Sequence, residues 1–304
     1  MCFRCFASPH ARVKMFRYRR SRTTFMLDTA YETITVKPLT RHIGALIGGI
    51  DLTRPLTQQQ VADVRRALLA HQVVFFRDQP LTLDQHLALG RRFGTLHVHP
   101  NSPGPEGYPE ILPIHSNAAT RRIAGDRWHS DVSCDEAPPM GSILHLHTLP
   151  PHGGDTLFSS AYAVYESLSP GLRRYLEGLT ATHDGEPTYR QRNRLRGIDD
   201  TGKTFPKASH PVVRTHPESG RKGIFVNSNF TTHIDDVPAA ESEGILRLLF
   251  ERFASPEFQV RFKWESHSVA FWDNRAVQHL AVWDYYPDVR SGYRVTINGD
   301  KPYR

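Results

Sequence analysis

Two histidines and a carboxylate stand out in this chain for what they could do together. His129 and Asp131, in Trp128-His129-Ser130-Asp131, are answered far downstream by His279 in Gln278-His279, with Arg290 and Arg294 just beyond. Such a set can hold an iron(II) ion on one face and leave the opposite face open to oxygen and substrate. The two arginines can grip acidic ligands brought to that open face.

Spacing alone does not establish the site. With 17 His in 304 residues and a similar number of Asp, chance placement gives about one His-x-Asp. The chain has two, the second being His233-Ile234-Asp235. On a strand, residues i and i+2 share a face, so one strand end can offer both ligands to one ion. The third ligand must then come from a distant strand folded back across a barrel. The 150 residues from His129 to His279 suffice for the intervening strands of a jelly roll, whereas only 71 residues follow His233 and no histidine follows His279. His233 and Asp235 therefore read as a surface or loop pair. On spacing alone, His129 and Asp131 read equally as metal ligands or as a satisfied structural pair.

A hydrophobic content of 39% is enough for a substantial core. No apolar run approaches the roughly 18 to 20 residues of a membrane span. The net charge of +7 suggests a nucleic-acid partner until it is located. Arg4, Arg12, Lys14, Arg17, Arg19, Arg20 and Arg22 carry all of it, and residues 28–304 are neutral. The body is thus not a polyanion binder. Residues 1–27 read as a basic, disordered leader. They lack the apolar stretch of a secretory signal, and suit an upstream extension with the start at Met15 or Met26, or an organellar transit peptide. Residues 28–304 read as a single domain. Cys2 and Cys5 form a Cys-x-x-Cys with no second pair to complete a zinc site. With Cys134 as the only other cysteine, the chain fits a reducing, cytoplasmic compartment and no disulfide framework.

The body alternates short strands with a few helices. Thr35–Leu39 reads as an opening strand, with Gly44, Gly48 and Gly49 marking turns around Ile47. Thr57-x-x-Gln60 and Thr82-x-x-Gln85 are capping boxes, the first followed by a Val61, Val64, Leu68 stripe and the second by Leu83 and Leu87. Val73-Val74-Phe75-Phe76 between them reads as a buried strand. Further strands are expected over 142–147, 268–272 and 293–297. A helix is expected after Ser169-Pro170, and another carries Ile245, Leu248, Leu249 and Phe253. The polar, basic stretch from Gly185 to Lys207 reads as a lid or mobile loop.

At this point the residues match a family. The chain resembles the taurine dioxygenase branch of the iron(II)- and 2-oxoglutarate-dependent dioxygenases from about Ile34 to Tyr303. The matching segments include Asp51-Leu52-Thr53-Arg54-Pro55-Leu56, His71-Gln72-Val73-Val74-Phe75, Trp128-His129-Ser130-Asp131-Val132, Gly153-Gly154-Asp155-Thr156, His210-Pro211-Val212-Val213-Arg214-Thr215-His216-Pro217, Phe225-Val226-Asn227 and Trp272-Asp273-Asn274-Arg275. The resemblance implies a mainly β fold with helical insertions, a double-stranded β-helix or jelly-roll barrel. It implies Fe(II), 2-oxoglutarate as cosubstrate, and O2. His129, Asp131 and His279 correspond to the iron ligands, and the presence of Asp131 favours hydroxylation over halogenation. Arg290 and Thr156 correspond to the residues that hold the distal carboxylate of 2-oxoglutarate. Arg294 corresponds to a residue near its 1-carboxylate and the substrate anion. His99, the backbone of Val132, Thr188, Tyr189 and Phe230 correspond to substrate contacts.

Some positions depart from the family pattern. Ser102 stands for a tyrosine, Gly125 for an asparagine and Cys134 for a phenylalanine, so the anion end of the pocket is kept while the rest has changed. His97, His145 and His147 read as core or edge histidines. The expected reaction is hydroxylation of a small anionic organic molecule, a sulfonate or alkyl sulfate ester, with release of sulfite or sulfate and formation of succinate and CO2. An aryloxyalkanoate, another carboxylate or a phosphonate is the alternative within the class. A zinc hydrolase would leave Arg290 and Thr156 without a role, and a non-catalytic β-barrel binding module would leave the whole triad without one. No nucleic-acid or membrane partner is expected, and relatives imply a homo-oligomer, dimer or tetramer.

Overall fold

Valine and phenylalanine in an unbroken run have nowhere to go but a doubly covered strand, and Val73–Phe76 is one, with all four side chains buried. Successive side chains of a strand point to opposite faces. Val73 and Phe75 accordingly join one apolar cluster, and Val74 and Phe76 another. This split organises the barrel of the computed structural model, which describes residues 30–99 and 104–304. The leader, Cys2, Cys5 and Ser102 lie outside the described residues.

In chain order the elements are β1 (Thr35–Pro38), β2 (Ala45–Gly48), α1 (Gln58–His71), β3 (Val73–Phe76), α2 (Leu83–Arg91), β4 (Ile111–Ser116), β5 (Gly141–Thr148) and β6 (Thr156–Ser160). There follow α3 (Ala161–Ser167), α4 (Pro170–Glu177), β7 (Thr180–Asp184), α5 (Glu186–Arg196), β8 (Lys207–Pro211), β9 (Val213–Thr215), β10 (Lys222–Ile224) and β11 (Thr231–Ile234). The chain ends with α6 (Ala239–Phe253), a 3-10 turn, β12 (Gln259–Phe262), β13 (Ser268–Asp273), β14 (Val277–Ala281) and β15 (Arg290–Ile297). A seven-stranded sheet runs β1-β2-β3-β13-β5-β15-β4, antiparallel except at β2–β3. Facing it is a three-stranded sheet, β12-β6-β14. The two form the jelly-roll barrel.

Between them lie Phe75, Leu144, Leu146, Phe158, Phe262 and Trp272. Phe75 stacks on Phe262 with ring centroids 3.9 Å apart. Burying each such side chain contributes roughly 1.5–3 kcal/mol. The outer face of the large sheet packs Val74, Ile143, Phe271 and Val295 against Val64 and Leu68 of α1 and Leu87 of α2. Both helices start at the expected capping boxes. Thr57 and Gln60 exchange bonds of 3.1 and 2.9 Å, and Thr82 and Gln85 bonds of 3.2 and 2.8 Å. Each cap satisfies two backbone donors that the first turn leaves without partners.

The turns expected around Ile47 flank strand β2, with Gly44 and Gly49 at positive φ and Gly48 its last residue. Two local expectations are corrected. On α6 the buried face is Ser242, Leu246, Leu249 and Phe253, while Leu248 is exposed. The stretch Gly185–Lys207 is not a structureless loop, because α5 forms within it. Its polarity hides the devices that hold it. Glu186 pairs with Arg190 one turn on, Gly197 closes the C-terminus at φ 67°, and Asn193 and Arg190 both bond Asp200.

Candidate active site

The barrel brings His129 and His279 side by side as an isolated antiparallel bridge, His279 N–H donating to His129 C=O at 2.8 Å and His129 N–H to His279 C=O at 3.2 Å. Their imidazole Nε2 atoms converge on one oxygen, Asp131 Oδ1, at 3.7 and 3.8 Å. The three side chains are buried and each offers a ligand atom within 4.8 Å of the others. The donor states also suit a divalent cation. Burial lowers the pKa of both histidines, keeping them neutral. Burial alone would raise that of Asp131, but the Arg294 guanidinium, helped by the Ser142 hydroxyl, outweighs it and holds the carboxyl well below its usual range. His129 Nδ1 lies 2.8 Å from the Arg127 carbonyl. That carbonyl can only accept, so the proton belongs on Nδ1 and the lone pair on Nε2. His279 Nδ1 is buried with no hydrogen-bond partner among the described residues. Iron(II) therefore fits this set.

Asp131 is placed by its neighbours. Its N–H donates to Asn274 Oδ1 at 2.6 Å, Asn274 Nδ2 returns a bond to its carbonyl at 3.0 Å, and Ser142 Oγ donates to Oδ2 at 3.0 Å. Val132, the next residue, sits at φ 46°, a strained conformation for a β-branched side chain. Arg294 Nη1 donates to Asp131 Oδ1 at 2.9 Å, while its Nε is buried with no partner among the described residues. A cation thus already lies on the oxygen where the two imidazoles converge.

Strand alternation puts Arg290 and Arg294 on the same, inner face of β15, while Val295 and Ile297 pack outward. Arg290 is buried, and no carboxylate among the described residues lies within ion-pair distance of it. Its Nε donates to Gly154 C=O at 3.0 Å and its Nη2 to Thr156 Oγ at 3.4 Å. Trp264 Nε1 donates to the same Thr156 hydroxyl at 3.0 Å. With two donors on its oxygen, Thr156 has its own proton to give. A buried guanidinium beside an outward-donating hydroxyl is a receptor for a carboxylate. The Gly153–Gly154 turn makes this approach feasible. Both residues have φ 74°, and a Cβ on Gly154 would lie 3.2 Å from Arg290 Cδ.

His99, Val132, Arg294 and His97 line one pocket with Ile111 and Thr296. Burial first, then Arg192, Arg294 and His97, lower the pKa of His99 to about 4, which leaves a neutral imidazole able to donate. Tyr189 and Phe230 pack with Cys134, Val132 and Phe205 in an adjoining apolar cluster. The Thr188 hydroxyl is turned away to the Asn229 carbonyl at 2.8 Å. Gly125 lies beside the triad at φ 84°, where a Cβ would come within 3.2 Å of His129 Cε1. His233 is exposed, on β11, 3.7 Å from Asp235 and apart from the triad. His145 is buried against His267, on the outer face of β5. His97 lines the pocket instead of filling a core. Sequence reasoning missed Trp264, Ser142 and the clamping role of Asn274. Trp264 was within reach, since it continues the inward alternation of Val260 and Phe262.

The family model described as taurine catabolism dioxygenase TauD, TfdA family, matches residues 35–296. The chain belongs to that family. It is 33% identical over 291 residues to an alkylsulfatase of Acinetobacter baylyi, covering 91% of this chain and 89% of that protein. It is 34% identical over 280 residues to an alpha-ketoglutarate-dependent sulfate ester dioxygenase of Pseudomonas putida, covering 88% and 91%. The crystal structure of a taurine dioxygenase from Burkholderia xenovorans matches with a TM-score of 0.78 at 41% identity, covering 89% of this chain and 91% of that one. The protein is a 2-oxoglutarate (alpha-ketoglutarate)-dependent dioxygenase, an oxidoreductase using Fe(II), 2-oxoglutarate and O2. No helix among the described residues is long and apolar enough to cross a membrane.

Proposed function

We propose that this TauD-family dioxygenase hydroxylates a small sulfur-centred organic anion, a sulfonate or an alkyl sulfate ester. The observation that carries the reading is the second anion receptor. Arg294, whose buried Nε has no partner among the described residues, and neutral His99 line one pocket next to Asp131. Arg290 and Thr156 form a separate receptor with its own donors. Two receptors on one barrel face suit two acidic ligands at once. His129, Asp131 and His279 would hold iron(II), which with 2-oxoglutarate and O2 supplies the oxidising power for C–H hydroxylation. Arg290 and Thr156 would hold the distal carboxylate of 2-oxoglutarate. Arg294, 2.9 Å from Asp131 Oδ1, would offer its remaining donors to the acidic groups. His99 and the Val132 backbone would donate to the substrate anion, with Tyr189 and Phe230 as apolar walls. Thr188 would support that wall through its bond to Asn229.

Fixing the anion fixes which C–H is presented to the metal, and so which product forms. If the hydroxylated carbon bears the sulfur group, the C–O or C–S bond breaks. An aldehyde results, with sulfate or sulfite as leaving group. The match over residues 35–296 supports one catalytic domain over 28–304.

The experiment is a substrate panel with sulfite and sulfate quantified alongside succinate. Release of either in step with succinate, from a sulfonate or an alkyl sulfate, is the expected result. Turnover confined to aryloxyalkanoates, other carboxylates or phosphonates would overturn the sulfur reading and keep the dioxygenase.

A further inference from the structure

The helix α5 carries an arginine that the reaction does not yet use. α5 is tied to the segment leading into His129, because Arg122 donates to Gln191 on the helix at 2.6 Å and to Asp126 at 2.6 and 2.8 Å. One residue on from Gln191, the Arg192 guanidinium lies over the Tyr189 ring, 4.9 Å from its centroid. Its Nε is buried without a hydrogen-bond partner among the described residues. No carboxylate among the described residues lies within ion-pair distance of it, whereas its neighbour Arg190 has two, Glu186 and Asp200.

Stacking on Tyr189 preorganises this cation and does not neutralise it. Desolvating a charge without a counter-charge is unfavourable, so this half-buried cation with no carboxylate beside it favours an added anion. Its position relates it to the substrate. Tyr189 packs in the cluster that includes Val132, and Val132 lines the pocket with Arg294 and His99. Val132 and Tyr189 thus connect the pocket that holds Arg294 to the ring on which Arg192 lies. The charges of both depress the His99 imidazole, after burial.

We propose that Arg192 is a specificity-determining residue that selects substrates bearing a second anionic group, such as a carboxylate, at the end remote from the sulfur anion. The same cation disfavours substrates that end in an ammonium. The proposal rests on the function proposed above, with Arg294 as the receptor for the first anion.

The test uses alkyl sulfates from butyl to octyl, each in three forms with methyl, carboxylate or ammonium tails. The kcat/KM ratio between tails is measured within each protein, for wild type, Arg192→Gln and Arg192→Lys. In parallel, calorimetry on the iron- and 2-oxoglutarate-loaded protein without O2 reads binding of the same compounds. A charge-assisted bond predicts a carboxylate-over-methyl ratio of about tenfold or more at the best length. That ratio should collapse toward one in Arg192→Gln and recover in part in Arg192→Lys, with the ammonium compound poorest in wild type. Wild type that does not distinguish the tails, or a ratio unchanged in Arg192→Gln, overturns the proposal. Failure of every sulfate to turn over, with the tail preference still present in binding, would reject the sulfate reading and leave the role of Arg192 standing.

Discussion

Replacing Arg290 with alanine should separate cosubstrate binding from metal binding. The side chain is buried, donates to Gly154 and Thr156, and makes no hydrogen bond to His129, Asp131 or His279. Removing one partner of a buried, hydrogen-bonded charge pair costs about 2–5 kcal/mol, much of it from the charge left unpaired. At 1.4 kcal/mol per decade, the Kd for 2-oxoglutarate should rise roughly 30- to 4000-fold. Removing only the hydroxyl, in Thr156→Val, should cost about 1.5 kcal/mol, roughly tenfold. Trp264→Phe removes a donor to that hydroxyl and not the hydroxyl itself, so its effect should be smaller still. The assay is anaerobic calorimetric titration of iron-loaded protein with 2-oxoglutarate, paired with titration of metal into the metal-free variants. Iron binding should stay near wild type in all three. An unchanged 2-oxoglutarate Kd in Arg290→Ala would refute the assignment. Iron binding lost in parallel would show that Arg290 shapes the metal site instead.

Three other outcomes follow from the same geometry. Asn274→Ala removes two bonds to the Asp131 backbone and one to Pro139, and leaves buried groups unsatisfied. Denaturant titration should show a loss of about 2–4 kcal/mol, with weaker metal binding by calorimetry. Gly154→Ala forces an L side chain to φ 74° against Arg290 Cδ. It should lower stability by roughly 1–2 kcal/mol and raise the KM for 2-oxoglutarate, whereas Gly171→Ala, with open space around its Cβ, should do neither. Burial lowers the pKa of His86 to about 3 and of His183 to about 3, from the ordinary 6.5. The unfolded chain therefore binds more protons below pH 6.5, and the stability these residues contribute is full above that value and lost as pH falls toward 3. Each should add a slope of about 1.4 kcal/mol per pH unit within that window, read by denaturant titration at successive pH values and reduced in His86→Gln.

What was legible in the sequence follows from locality. A capping box is a four-residue event, so Thr57 and Thr82 announce their helices. A doubly buried strand is a run of apolar residues, so Val73–Phe76 announces itself. The pairing of His129 with His279 is not local, and only the ordered match of many segments to a family made it readable. Arg290 and Arg294 sharing a face follows from period two once β15 is accepted. By contrast, α5 is held by an ion pair, a glycine cap and bonds to Asp200, none of which gives an apolar stripe, so it read as a loop. Trp264 and Ser142 act through contacts made across the barrel, Trp264 on Thr156 and Ser142 on Asp131. Such contacts exist only after the sheets close.

The central claim is that His129, Asp131 and His279 form an iron centre that consumes 2-oxoglutarate. Its most direct test is succinate formation by the purified protein with iron(II), 2-oxoglutarate and O2, with and without a sulfonate or alkyl sulfate. The expected succinate depends on O2, rises with substrate, and disappears in His129→Ala and on chelation. Succinate formation undiminished in His129→Ala, or absent from the iron-loaded wild type under every condition, would contradict it.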